Sequence, residues 1–288
     1  MKRINLICLL PIVFLAAACS DKSTEKVQFN PEEPGIIRVP DDTTSILAAL
    51  EMAGWNDTII VSDGIYKDSG NRDIDFPDKT VVLKSENGPA GAIIDCGGDI
   101  SEPHRAFRFD NINKNVTIDG FKIRGGYSNH GGAIYCMNSS PHIINCVFTD
   151  NQANVSGAHV WCKSSSPVFE NCTFVRGSAD AGGAFFISAN SSPVVSNCIL
   201  AYADLGQAIA TLATSEIPIL NCCLIYGNEG GDWVGDIAGQ LNINGNLSMA
   251  PLFCEFDSGD YTLSSVSPCL PENNSCGLLI GALGVGCD

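Results

Sequence analysis

The 288-residue chain is poor in charge, methionine and histidine: charged residues make up 17%, with 4 Met and 4 His. Basic groups are the scarcer sign, 16 Lys and Arg against 32 Asp and Glu, a formal charge of −16. Nucleic acid and anionic membrane surfaces both select for basic patches, so neither is expected as a partner. No Cys-x-x-Cys and no histidine pair at ligand spacing occurs among the 14 Cys and 4 His, which argues against a metal site. What is plentiful is glycine, 29 residues, together with Asn, Ser, Thr and β-branched side chains. These suit strands and turns, so a mainly helical fold is excluded. At 45% hydrophobic the chain can bury a core and does not read as disordered.

Met1-Lys2-Arg3 precedes an apolar run from Ile4 to Ala18, broken only by Asn5 and Pro11. This is the charged start and short apolar stretch of a secretory signal, too short for a comfortable membrane span. It ends Leu15-Ala16-Ala17-Ala18-Cys19, which resembles a bacterial lipobox, with Ala16 where a large aliphatic is usual. The resemblance implies removal of residues 1–18 and lipid on Cys19; an ordinary signal cut after Ala18 is the other reading. Residues 19–35 are polar, with two prolines, and read as a tethered linker. Loss of Lys2 and Arg3 leaves 14 basic against 32 acidic residues, a charge of −18. The expected product is an exported acidic lipoprotein of the outer membrane or cell surface, with the membrane as partner through its lipid. Ser20, rather than aspartate, after Cys19 favours the outer membrane.

Residues 36–245 carry an internal repeat. Pro141, Pro167, Pro193 and Pro218 lie 26, 26 and 25 residues apart, each following a Ser-rich turn or its weaker counterpart. Five residues after each proline comes Cys146, Cys172, Cys198 or Cys223, with Phe121 in the same column one period earlier. Apolar residues flank that column: Ile118, Ile143, Phe169, Val195 and Leu220 on one side, Ile123, Phe148, Phe174, Leu200 and Ile225 on the other. The second step has a strand's period of two; the first spans three residues and needs a bend, where Gly120, Asn145, Asn171, Asn197 and Cys222 stand. Such a period builds stacked β-coils, each paired in parallel with the next. The column cysteines read as small buried hydrophobes.

The turns GGAIYCMNSSPHIINCVF and SSPVFENCTF resemble those of right-handed parallel β-helix proteins of the pectate-lyase-like class. So does the start of the repeat region: Thr43-Thr44-Ser45 caps a short amphipathic helix carrying Ile46, Leu47, Leu50 and Met52, expected to plug the first coil. The resemblance implies an all-β, single-stranded right-handed parallel β-helix with a short capping helix over residues 36–285. Residues 246–288, with Pro251-Leu-Phe-Cys254, Gly259-Asp-Tyr-Thr-Leu-Ser and Ser267-Pro-Cys269, resemble the terminal coil of secreted members. Disulfides are expected among Cys254, Cys269, Cys276 and Cys287. The pairing Cys269–Cys276 with Cys254–Cys287 is taken here, out of three that four cysteines allow.

A solenoid places equivalent residues in columns. If Ile134, Val160 and Phe186 point inward, Tyr135, Trp161 and Ile187 point outward, with His159, Phe185 and Lys163 beside them. Tyr135, Trp161, His159, Lys163 and Phe185 are therefore candidate sugar-binding residues, because aromatic rings beside hydrogen-bonding groups suit sugar faces. The other reading packs these rings against the sheet. Asp150 and Arg176 form a second column one coil apart. Polysaccharide lyases of this fold use an Arg or Lys base with Ca²⁺ held by carboxylates, which makes Asp150 and Arg176 catalytic candidates. A surface ion pair is the other reading. Asp119, Lys122 and Arg124, near His130 and His142, form a third group and read as a solvated face. No metal ligand set is expected, and Ca²⁺ only if the protein is lyase-like. The leading reading is a monomeric, non-catalytic surface module that binds extracellular polysaccharide or an envelope partner. The alternative is a polysaccharide lyase acting on uronate-containing glycans.

Overall fold

The computed structural model describes residues 33–212 and 216–288. The expected signal peptide, Cys19 and most of the linker lie outside the described residues. From Ile36 onward the chain winds as a parallel β-solenoid. Eight strands, from Ile36–Val39 to Ile219–Asn221, form sheet one; seven, from Gly64–Tyr66 to Leu224–Tyr226, form sheet two; six, from Ile74–Asp75 to Ile209–Thr211, form sheet three. A short sheet of Tyr127–His130, Gln152–Ser156 and Ser178–Ala181 joins sheet two to sheet three.

The corners explain the sequence period. Gly120, Asn145, Asn171, Asn197 and Cys222, between sheets one and two, have φ of 79°, 54°, 49°, 53° and 52°. This left-handed backbone is cheapest for Gly and Asn, hence the Asn column. Immediately afterwards Phe121, Cys146, Cys172, Cys198 and Cys223 turn inward and are fully buried. The ladder sulfurs also bond the backbone. Phe121 N–H donates to Cys146 Sγ at 3.4 Å and Cys172 N–H to Cys198 Sγ at 3.3 Å. At the end of the ladder Asn246 Oδ1 accepts from Cys223 N–H at 2.9 Å. Burial raises the thiols of Cys146, Cys172 and Cys198 and pushes that of Cys223 up to about 12, so they stay protonated. At the corner between sheets three and one a serine ladder does the same: Ser139 N–H donates to Ser165 Oγ at 3.1 Å and Ser165 N–H to Ser191 Oγ at 3.2 Å.

Both ends of the stack are closed. At the first coil the helix Ile46–Met52, capped by Ser45 Oγ accepting from Ala48 N–H at 3.2 Å, buries Ile46, Ala49 and Leu50 in the coil core. At the last coil Trp233 and Ile237 cover the core, and Gln240 pairs with the open edge of sheet one through Leu220 N–H and Pro218 C=O.

Residues 246–288, expected as the end of the stack, take another course. After Leu247 bridges Leu224, the chain folds back over the outer face of sheet two, carrying a small sheet of Phe253–Glu255, Asp260–Ser264 and Val285–Cys287. Tyr261, Leu263, Leu270 and Ile280 of this strap form a second core with the outward residues Val147, Val175, Ile199, Ala201 and Leu224. That is why Val147–Thr149, Thr173–Val175 and Ile199–Ala201 are buried on both faces.

One disulfide matches expectation and one does not. Cys254–Cys287 closes the strap sheet, but Cys276 pairs with Cys222, not Cys269. Cys222 occupies the left-handed corner where Asn stands in earlier coils and is only partly buried, which puts it within reach of the strap. Cys269 is a free thiol inside the strap core, its pKa raised to about 12 by burial. Gly245, φ 76°, lies under the bridge, where a Cβ would come 2.2 Å from Cys276 Sγ.

Candidate functional site

The corner after sheet two is the place where chemistry-bearing side chains converge. Gly97, Gly125, Asp150, Arg176, Tyr202 and Gly227 stack there with φ between 53° and 72°. Glycine is the unstrained choice in this conformation, so Arg176 and Tyr202 are held at a backbone cost of order 1–3 kcal/mol each. Arg176 Nε donates to Asp150 Oδ1 at 2.7 Å, and Thr149 Oγ1 donates to Asp150 Oδ2 at 2.7 Å. Both members of the ion pair are well exposed, so it contributes under about 1 kcal/mol to stability.

The strap supplies the other wall. Tyr261 Oη shares a hydrogen bond with Thr149 Oγ1 at 2.7 Å, and Lys122 Nζ donates to Gly259 C=O at 3.2 Å. Lys122 Nζ lies 5.2 Å from the Tyr261 ring centroid and the Arg176 guanidinium 5.7 Å from that of Phe256. A recess of about 180 Å³ results, lined by Lys122, Arg124, Asp150, Arg176, Asp257 and Tyr261 among others. Across Asp150 it adjoins a second hollow of about 450 Å³, bounded by Asp99, Ile100, Gly126, Tyr127 and Gln152. The two meet at Asp150 and make up the corner cleft, the recess lined mainly by polar groups and the hollow by a mixture that includes Ile100 and Tyr127.

Each of its two arginines is paired with a carboxylate. Arg124 pairs with Asp95 at 2.8 Å, and Asp150 raises the pKa of Arg176 above its ordinary value. Burial, helped by Arg124, loosens the proton on Lys122. Each oxygen of Asp150 accepts a hydrogen bond, and no three His, Cys, Asp or Glu groups converge among the described residues. Asp119, grouped with Lys122 in the sequence, instead faces sheet one, accepting from Asn145 Nδ2 at 2.8 Å. Glu170 pairs with His142 on sheet one, at 3.3 Å.

The aromatic column on sheet three is shifted from its expected phase. Register places Phe185 with Val160 and Ile134, and Phe186 with Trp161 and Tyr135. Phe185 is therefore a fully buried core residue and Phe186 faces outward. The cause is one residue fewer in the short sheet: Gln152–Ser156 has five residues and Ser178–Ala181 four, with a bulge where the register shifts. His159 is no surface group either. It is buried against Phe148 and Phe174, bonds Asn151 at 3.1 Å, and has its pKa lowered by burial to about 3. Trp161 stacks on Tyr135 at 4.7 Å and keeps only 8% exposure, so its ring is packed against the sheet. Lys163 is exposed at the end of its strand.

The repeat column that aligns Asp150 with Arg176 is visible in the sequence and the two side chains pair, but the strap wall is not visible, because Thr149 and Tyr261 are 112 residues apart. Nothing local in the sequence announces that contact. No curated protein matches the chain. Residues 87–248, more than half of it, match the family model described as "Right handed beta helix region". With the parallel coils, inward ladder and capped ends already in view, the chain belongs to the right-handed β-helix family.

Proposed function

We propose that this is an exported, lipid-anchored β-helix module of the cell envelope that binds extracellular polysaccharide in the corner cleft without cleaving it. The observation that carries the reading is the corner recess: a polar hollow bearing Lys122, Arg124, Asp150 and Arg176 and tied to the strap by hydrogen bonds, with a second hollow across Asp150. Such a surface offers donors and acceptors to sugar hydroxyls along several rings. Two disulfides support an oxidising compartment, as the N-terminal signal does. Arg176 is poorly suited to act as a base. A base must give up its proton, and Asp150 holds the guanidinium charged.

One observation favours the lyase alternative: Lys122, in the same recess, has a weakened hold on its proton. The experiment incubates the soluble protein with uronate-containing and neutral glycans, with and without Ca²⁺. Binding is followed by calorimetry and cleavage by new unsaturated ends. Binding weakened about tenfold by Arg176→Ala, unaffected by Trp161→Ala and without cleavage, is the expected result. Cleavage abolished by Lys122→Ala would establish the lyase. Absence of binding to any glycan would overturn the polysaccharide reading.

A further inference from the structure

The three tryptophans differ sharply in exposure: Trp55 59%, Trp161 8% and Trp233 9%. Trp55 stands just after the capping helix, before Asn56, whose φ is 65°. Leaving so much of an indole in water is unfavourable, while an indole rim is suited to a partner with one apolar face and one wet edge. Lys114 Nζ lies 5.6 Å from its ring centroid and has no ion-pair partner among the described residues.

Lys114 also lines a groove of about 370 Å³ at the corner between sheets three and one, on a different corner from the cleft described above. Asn113, Asn138, Ser140 and Ser164 line it as well, and no carboxylate does. Neighbouring bonds fix these groups. Asn138 Nδ2 donates to Asn111 Oδ1 at 2.9 Å, and Ser140 Oγ accepts from Ser166 N–H at 2.9 Å, leaving the Ser140 hydroxyl proton free to donate. Lys114 links the open indole to this groove of amides and hydroxyls, and the two together match sugar rings that are apolar on the face and hydroxylated at the edge.

We infer that this corner is a second carbohydrate subsite, taking a neutral oligosaccharide with one ring stacked on Trp55 and a later one hydrogen-bonded to Asn138 and Ser140, which the register sets three strand spacings, about 14 Å, along the stack. The inference rests on the proposed polysaccharide reading but assigns a different place and a different sugar class from the charged cleft. Because Trp161 and Trp233 are buried, acrylamide quenching of tryptophan fluorescence reports chiefly on Trp55.

The test titrates cello-, manno- and xylo-oligosaccharides into the full protein, with calorimetry and quenching followed in parallel. One of these probes is expected to shield the fluorescence, and Trp55→Ala and Asn138→Ala are expected to weaken its binding about tenfold. Circular dichroism on each variant guards against misfolding. Heat of binding with quenching unaltered, and Trp55→Ala equal to wild type, overturns this subsite while the charged cleft stands. No heat with any of these probes, while polygalacturonate binds, overturns it too. No binding of any glycan removes the polysaccharide reading along with it.

Discussion

Replacing Cys198 distinguishes packing from hydrogen bonding in the core ladder. The Cys198 sulfur accepts from Cys172 N–H at 3.3 Å and donates to Ser196 C=O at 3.1 Å. Cys198→Ala removes that acceptor and leaves a buried N–H unsatisfied, at about 1–3 kcal/mol. The missing sulfur leaves a small cavity worth about another 1 kcal/mol, so the variant should lose about 2–4 kcal/mol in all. Cys198→Ser keeps an acceptor and a donor in place and should lose no more than about 1 kcal/mol. The protein already uses serine this way at another corner, where Ser165 Oγ donates to Lys163 C=O at 2.8 Å and accepts from Ser139 N–H. Urea unfolding followed by circular dichroism gives the midpoints for all three proteins, with unchanged slopes as the check on comparison. At about 2–4 °C per kcal/mol for a domain of this size, thermal melts should show alanine falling by about 5–15 °C and serine by a few degrees at most. If the cysteines were only small hydrophobes, serine would be the worse replacement. Serine as damaging as alanine, or more so, would refute the hydrogen-bonding account.

Other perturbations have equally definite outcomes. Cys276→Ser opens a bridge of sequence separation 54 and should cost about 4 kcal/mol by loop-closure entropy, read as a lower melting temperature that reductant no longer changes at this bond. His159 stays neutral in the fold down to about pH 3, whereas the unfolded chain takes up the proton near pH 6.5. Stability should therefore fall as pH drops from 6.5 towards 3. The decline should be shallower in His159→Gln; parallel curves would show that another group is responsible. Trp161→Ala should cost about 3 kcal/mol through lost stacking on Tyr135, measured by urea midpoint, while glycan affinity stays at the wild-type value.

The fold was legible because it is written many times over. One corner Asn and one inward Cys mean little alone, but their recurrence near every 25 residues specifies a coil, a bend and a direction into the core. Legibility failed where the repeat is interrupted. The single residue missing from Ser178–Ala181 moved Phe185 inward and Phe186 outward, and no composition rule locates a deletion to one side of a strand. His159 was misplaced for a related reason: it lies just before the strand, where alternation does not apply, and its partner Asn151 is on another part of the coil. Cys222 reads in sequence only as the bend residue of its coil, because its disulfide partner lies 54 residues away. The cleft was half visible. Asp150 and Arg176 share a repeat column, but the wall that makes them a groove comes from the strap.

The strap also sets a condition on when the molecule becomes soluble. Sheet two presents Val147, Val175, Ile199 and Leu224 outward, and the residues that cover them, Tyr261 to Ile280, follow all of its coils in the chain. Until they arrive, an otherwise complete coil stack displays a contiguous oily flank of the kind that drives aggregation or recruits chaperones. A chain cut short before Tyr261 is thus a sticky protein, whatever the integrity of its coils.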